Sequence, residues 1–187
     1  MAAKSRLNQG PRDMVLSLVA LLLIIGALMF ANRGCAFSPG TPTADPSTAP
    51  SVDAADSLQR AAAVVDFPVR VPAVPAPWRA NSSSTGRVEP VSVVVRAGWL
   101  TPGRFVQLSQ SAASVPELVA AETGASSGSS GVVDVDGTQW TVYPGRRSEL
   151  AWATSVSGAT VLITGTGDEE EFRALARAYL AAAPVKR

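Results

Sequence analysis

The first hydrophobic pattern in the chain is a block without periodicity. Positions 14–31 read MVLSLVALLLIIGALMFA, eighteen residues without a charge. At about 1.5 Å per residue, a helix over this run is roughly 27 Å long, near the lower limit for crossing a bilayer. Lys4, Arg6 and Arg12 precede it, while Arg33 alone follows closely. This bias predicts a cytoplasmic N-terminus, with the bulk of the chain on the outer side. The run exceeds the apolar core of about 7–15 residues found in cleaved signal peptides, and no clean small-x-small pair follows before Arg33. A lipoprotein signal ending at Cys35 would place a leucine-like residue and then small residues before the cysteine. Asn32, Arg33 and Gly34 stand there instead, and only Gly34 fits. The pattern therefore predicts an uncleaved single-pass anchor. A cleaved or lipidated leader and a buried core helix are the alternatives. With the anchor intact, Cys35 is a free thiol just outside the membrane.

Next comes a stretch with almost no large apolar residue, SPGTPTADPSTAPS at 38–51, which cannot bury enough surface to fold and reads as an extended stalk. The expected organisation is a basic cytoplasmic tail (1–13), a transmembrane helix (14–31), a Pro/Ser/Thr-rich stalk (32–51) and an extracytoplasmic domain (52–187).

Periodicity becomes informative inside that domain. Residues 51–65 suggest a short helix with Ser51 as N-cap. The proline-rich PVRVPAVPAPWRA (68–80) excludes helix and central strand and should lie extended, anchored by Trp78. VSVVVRAGWL (91–100) and RFVQLSQ (104–110) read as strands joined by a Thr101-Pro102-Gly103 turn. VPELVAAET (115–123) reads as a helix capped by Ser114, followed by a flexible loop at 124–131. In GVVDVDGTQWTVYP (131–144), Asp136-Gly137 separates two alternating runs, which predicts a type I′ hairpin with Val133 and Val135 facing Trp140 and Val142. Two more strands are expected at 148–154 and 159–164, turning near Ser157-Gly158. Asp168 and Glu171 form a capping box for a final helix, whose stripe is Phe172, Leu175, Ala176, Tyr179, Leu180 and Ala183. The fold class is α+β, an antiparallel sheet with the C-terminal amphipathic helix on one face.

Composition narrows the chemistry. Sixteen basic and fifteen acidic residues leave no bulk charge to favour nucleic acid. One cysteine excludes an intrachain disulfide, and the absence of histidine removes the commonest general base and the usual zinc ligands. TGTGDEEE (164–171) resembles a glycine turn entering a helix, yet its four carboxylates would repel a phosphate, so it reads as a cap. The pairs Asp134/Asp136 and Glu169/Glu171 are explained by a hairpin and a helix start. Serines 82–84 and 126–130 fall in expected loops with no base in view. Arg146-Arg147 could meet anionic headgroups but reads as solvated charge. Gly26 and Phe30 do not form a G-x-x-x-G pair. No catalytic, cofactor-binding or metal-ligating residue is assigned. Trp78, Trp99, Trp140 and Trp152 are the candidate ligand-pocket residues, with core packing as the plainer role for each.

Five stretches together resemble an actinobacterial family, domain of unknown function 4245. They are PRDMVLSL (11–18), PVRVPAVPAPWRA (68–80), GWLTPGRFVQLSQ (98–110), VDGTQWTVYPG (135–145) and VLITGTGDEEEFRALA (161–176). The resemblance implies a membrane-anchored extracytoplasmic domain and carries no catalytic residues. The element order is also similar to the Mog1/PsbP-like fold. The function expected is a non-catalytic module binding an envelope lipid, glycan or protein partner. A histidine-free envelope hydrolase and a scaffolding protein are the alternatives.

Overall fold

The chain divides into two units, residues 1–43 and 44–187. The computed structural model describes residues 11–31, 51–124 and 128–186, with the side chains of the first helix described from Arg12 to Ala27. The basic tail up to residue 10, the stalk with Cys35, and positions 125–127 of the loop after Thr123 lie outside the described residues.

In the first unit, α1 covers Pro11–Ala31. Ser17 is the only hydroxyl within the apolar run, and it donates to the carbonyls of Asp13 and Met14, both at 3.0 Å. Among the described residues, no helix is long and apolar enough to cross a membrane.

The second unit is α+β. Its seven strands are β1 (Arg79–Val88), β2 (Ser92–Leu100), β3 (Phe105–Ser111), β4 (Gly131–Val135), β5 (Thr138–Pro144), β6 (Leu150–Val156) and β7 (Ala159–Gly165). They form one antiparallel sheet in the order β1-β2-β3-β7-β6-β5-β4. Among the described residues, three α-helices complete the unit, α2 (Ala54–Ala62), α3 (Val115–Thr123) and α4 (Glu169–Ala181), with a 3-10 turn at Arg146–Ser148.

Alternation along the strands sorts side chains onto two faces. One face carries Val95, Ala97, Trp99, Leu108, Val161, Ile163, Trp152 and Trp140, and packs against α2 and α4. The other carries Val94, Leu162, Ala151 and Ala153 beneath Leu118 and Val119 of α3. The C-terminal helix thus covers one face as expected, but shares it with α2, and α3 covers the opposite face.

The turns follow backbone chemistry. Asp136 (φ 51°) and Gly137 (φ 82°) are both left-handed, and so are Ser157 (φ 52°) and Gly158 (φ 85°). Two residues at positive φ match the right-handed twist of the flanking strands, the type I′ geometry expected for the first hairpin and found in the second as well. In the first, Asp134 Oδ1 accepts from the Gly137 N–H at 3.1 Å, and Val133 faces Trp140 across the pair.

Two expectations are corrected. The N-cap of α2 is Asp53, whose Oδ1 accepts from the Asp56 N–H at 2.9 Å. Ser51 lies before it, and the helix is shorter than the 51–65 span. Serines 82–84 belong to β1, an edge strand, and not to a loop. Its sequence RANSSSTGRV has neither apolar alternation nor bulk, and its partner β2 supplies the hydrogen bonds. A polar edge of this kind discourages pairing with other chains.

Candidate functional site

The proline-rich segment before β1 forms one wall of an open groove. Pro72, Pro75 and Pro77 hold φ near −65° and deny the segment strand hydrogen bonds. The chain turns back where the Trp78 N–H donates to the Pro75 carbonyl at 2.9 Å. Trp78 is thereby set, half-buried, against the rim of the core. The Val52 N–H donates to the Ala80 carbonyl at 3.1 Å, which fixes the start of α2 beside the entry to β1. The groove between these pieces has a volume of about 490 Å³ and is lined by Leu58, Val71, Val74, Trp78, Ala80 and Trp99, with Asp53 at its edge. That size falls within the common range for small-molecule sites, roughly 300–1,000 Å³. Among the described residues, Asp53 is the only charged one in the lining, and its carboxylate already serves the α2 N-terminus.

The four candidate tryptophans separate by position. Trp78 and Trp99 line the groove together. Trp140 and Trp152 do not, being 0% and 1% exposed within the core. Trp152 meets the Phe172 ring edge to face at 5.4 Å, and the Arg173 guanidinium lies 5.8 Å from its ring centre. The core role therefore accounts for Trp140 and Trp152 and for most of Trp99, which touches the groove but is only 3% exposed, while Trp78 alone is half-buried with an open face.

Sequence reasoning missed the groove's other walls. Val71 and Val74 alternate with prolines, a pattern with no helical or strand period, so nothing marked their common orientation. Leu58 is buried on α2, and only the pairing of β1 with β2 brings Ala80 next to Trp99.

Several charged groups elsewhere have structural partners. The Asp168–Glu171 capping box forms as expected, with Asp168 Oδ1 accepting from the Glu171 N–H at 3.0 Å and Glu171 Oε2 from the Asp168 N–H at 2.9 Å. Glu169 binds Arg173, and Asp136 faces Arg177 at 3.5 Å. At Ser114, the Glu117 carboxylate accepts from both the hydroxyl and the backbone N–H, which holds its pKa below the usual value. Among the described residues, no group of three or more Cys, Asp or Glu side chains is arranged to hold a metal ion.

One polar cluster was not foreseen. Glu122, at the end of α3, has a side chain only 5% exposed. It accepts from Arg96 Nε and Nη2, Gln107 Nε2 and Ser109 Oγ at 2.6 to 3.2 Å. The sequence did contain a signal. Arg96 interrupts an otherwise apolar strand, and Gln107 and Ser109 alternate with Val106 and Leu108. All three therefore face α3.

Comparison with known proteins adds a family. A family model described as "Protein of unknown function (DUF4245)" matches residues 6–179. No curated protein and no solved structure matches the chain.

Proposed function

Because the chain belongs to the DUF4245 family, whose description carries no activity, we propose a function from its geometry. The protein is a single-pass membrane protein whose C-terminal domain lies outside the cytoplasm and binds an apolar envelope ligand without catalysis. The observation that carries this reading is the groove at Trp78 and Trp99, with apolar walls and a single carboxylate at its edge. The half-buried Trp78 and the aliphatic side chains of Leu58, Val71, Val74 and Ala80 favour an apolar body on the ligand, and the polar part of the lining near Ser51 and Asp53 suits a neutral polar end. A non-catalytic role is supported by the occupied carboxylates of the 134–136 turn and the α4 cap.

Anchoring through α1 is supported by the uncharged run 14–31 and by the basic residues preceding it. The Ser17 hydroxyl, bonded to its own helix, adds little polar cost to that run. The placement of helices on both faces of one antiparallel sheet is similar to the Mog1/PsbP-like arrangement, a likeness of fold that assigns no ligand.

Two measurements test the reading. Cys35 is the only thiol, so a membrane-impermeant maleimide should label it in intact cells. Labelling only after lysis would place the domain on the other side. Native mass spectrometry of the full chain, released from its own membranes, should show a lipid-sized adduct that Trp78→Ala removes. A bare mass that stays bare after adding envelope lipids would overturn the groove assignment.

A further inference from the structure

On the opposite face of the sheet, a second and chemically different basin lies beside the Glu122 cluster. It has a volume of about 360 Å³, and its lining includes Arg96, Phe105, Glu122, Arg146, Glu149 and Thr164. We propose that this basin binds a neutral, hydroxyl-rich ligand of the saccharide class, with the Phe105 ring as its platform and Arg146 and Glu149 as its hydrogen-bonding rim.

The floor is built and rigid. Glu122 holds the Arg96 guanidinium through two nitrogens, at 2.9 Å from Nε and 2.6 Å from Nη2. Gln107 and Ser109 fix the same carboxylate at 3.2 and 3.1 Å. Two glycines make room for this arrangement. A Cβ at Gly98 would stand 2.7 Å from the Phe105 ring, and a Cβ at Gly86 would press on the Arg96 guanidinium, 3.2 Å from its central carbon. Both side chains therefore lie over bare backbone, and a site held this way loses little freedom on binding.

The rim carries the selectivity. Arg146 donates from Nε to the Glu122 carbonyl at 3.0 Å, which positions its guanidinium at the edge. Glu149 enters from the same loop, closed by hydrogen bonds between the Gly145 N–H and the Glu149 carbonyl (2.8 Å) and between the Glu149 N–H and the Arg146 carbonyl (2.9 Å). Among the described residues, no ion pair joins the side chains of Arg146 and Glu149. Arg147, between them, holds a left-handed backbone (φ 49°) outside any two-residue hairpin turn. Such strain in a non-glycine residue is retained where the surroundings demand a particular loop shape.

Charge balance then selects the ligand class. Two arginines and two glutamates line the basin, so an anion meets as much repulsion as attraction. A purely apolar ligand would leave these groups desolvated and unpartnered, which is costly. A sugar ring offers an apolar face to Phe105, and hydroxyls that both donate to Glu149 and accept from Arg146. This inference is independent of the apolar groove.

The test is saturation-transfer NMR on the full chain in lipid nanodiscs, with maltotriose and chitotriose as probes and glucose 6-phosphate as the anionic control. At least one neutral sugar should bind saturably and more tightly than the phosphate. Arg146→Ala and Glu149→Gln should each weaken it about tenfold, the size of one charged hydrogen bond. Phe105→Leu, which keeps an apolar side chain in place, should weaken it too, while Trp78→Ala should leave it unchanged. The proposal is overturned if neither sugar binds saturably, if the phosphate binds more tightly, if the rim variants bind as the parent does, or if Trp78→Ala abolishes binding.

Discussion

Gln110, fully buried on β3, holds both backbone polar groups of Arg70: its Oε1 accepts from the Arg70 N–H at 2.8 Å, and its Nε2 donates to the Arg70 carbonyl at 2.9 Å. The side chain mimics a strand for a segment that its prolines bar from the sheet. Arg70 in turn donates from Nη1 to the carbonyls of Leu180 and Ala182 at 3.1 and 3.0 Å. A cation there satisfies carbonyls that the helix end leaves open and complements its dipole. One side chain thus ties the proline-rich wall of the groove to the end of α4. Gln110→Leu should cost about 3 kcal/mol, since it strands two partly buried backbone groups at roughly 1–3 kcal/mol each. Urea denaturation measures this, and a loss under about 1 kcal/mol would show that Arg70 finds other partners.

Tyr179 gives a prediction of opposite sign. Among the described residues its buried hydroxyl has no hydrogen-bond partner, and burial raises its pKa to about 12, with the Arg70 guanidinium 5.4 Å over the ring opposing part of the rise. The folded state holds the phenol neutral, whereas the unfolded chain ionises it near pH 10. Stability from this residue is therefore full below pH 10 and is lost as pH rises from about 10 to about 12. The difference between the folded and unfolded values corresponds to about 2–3 kcal/mol. Tyr179→Phe should flatten that part of the pH profile. At pH 7 it should be neutral or stabilising by about 1 kcal/mol, because it removes an unpaired polar atom. A clear loss of stability at neutral pH would mean that the hydroxyl has a partner after all.

The Arg96–Glu122 pair tests burial of charge on the α3 face. Removing one partner leaves the other desolvated, so Glu122→Leu should destabilise by about 3 kcal/mol. The double variant Arg96→Met/Glu122→Leu should recover part of that loss, since no isolated charge remains. A double-mutant cycle by thermal denaturation decides it. Simple additivity of the two losses would mean that the pair contributes through packing alone.

The contrast between these residues shows what the sequence could reveal. Local signals were read correctly where the cause is local. The Asp136-Gly137 turn and the Asp168–Glu171 cap each rest on residues within four positions of one another, and the α3 span is bounded by its own caps, Ser114 and Gly124. β1 was missed because its cause lies in its partner, and RANSSSTGRV says nothing until β2 is set beside it. Gln110 and Glu122 were missed for a similar reason. Each is polar for the sake of a group 40 or 26 residues away in the chain, Arg70 or Arg96. The tryptophan set was legible as bulk but not as a site, for the converse reason. Hydrophobic bulk marks burial, but only the fold decides which bulk faces an opening.

That last distinction can be measured on two tryptophans. Trp140 is wholly enclosed and pairs with Val133 across the hairpin, so Trp140→Ala should cost about 3–5 kcal/mol through cavity formation. Among the described residues its buried Nε1 has no hydrogen-bond partner, which makes Trp140→Phe the milder change, since it removes that atom and leaves a smaller void. Trp78 stands half-buried at the groove, and replacing it by alanine should cost about 1 kcal/mol, since it loses only partial burial. Ligand occupancy should reverse this order. Trp78→Ala should lose the lipid-sized adduct while the fold stays intact, and Trp140→Phe should keep it. Native mass spectrometry and thermal melts on the same three samples separate the two roles. Adduct loss in Trp140→Phe with retention in Trp78→Ala would move the ligand from the groove to the hairpin side of the sheet.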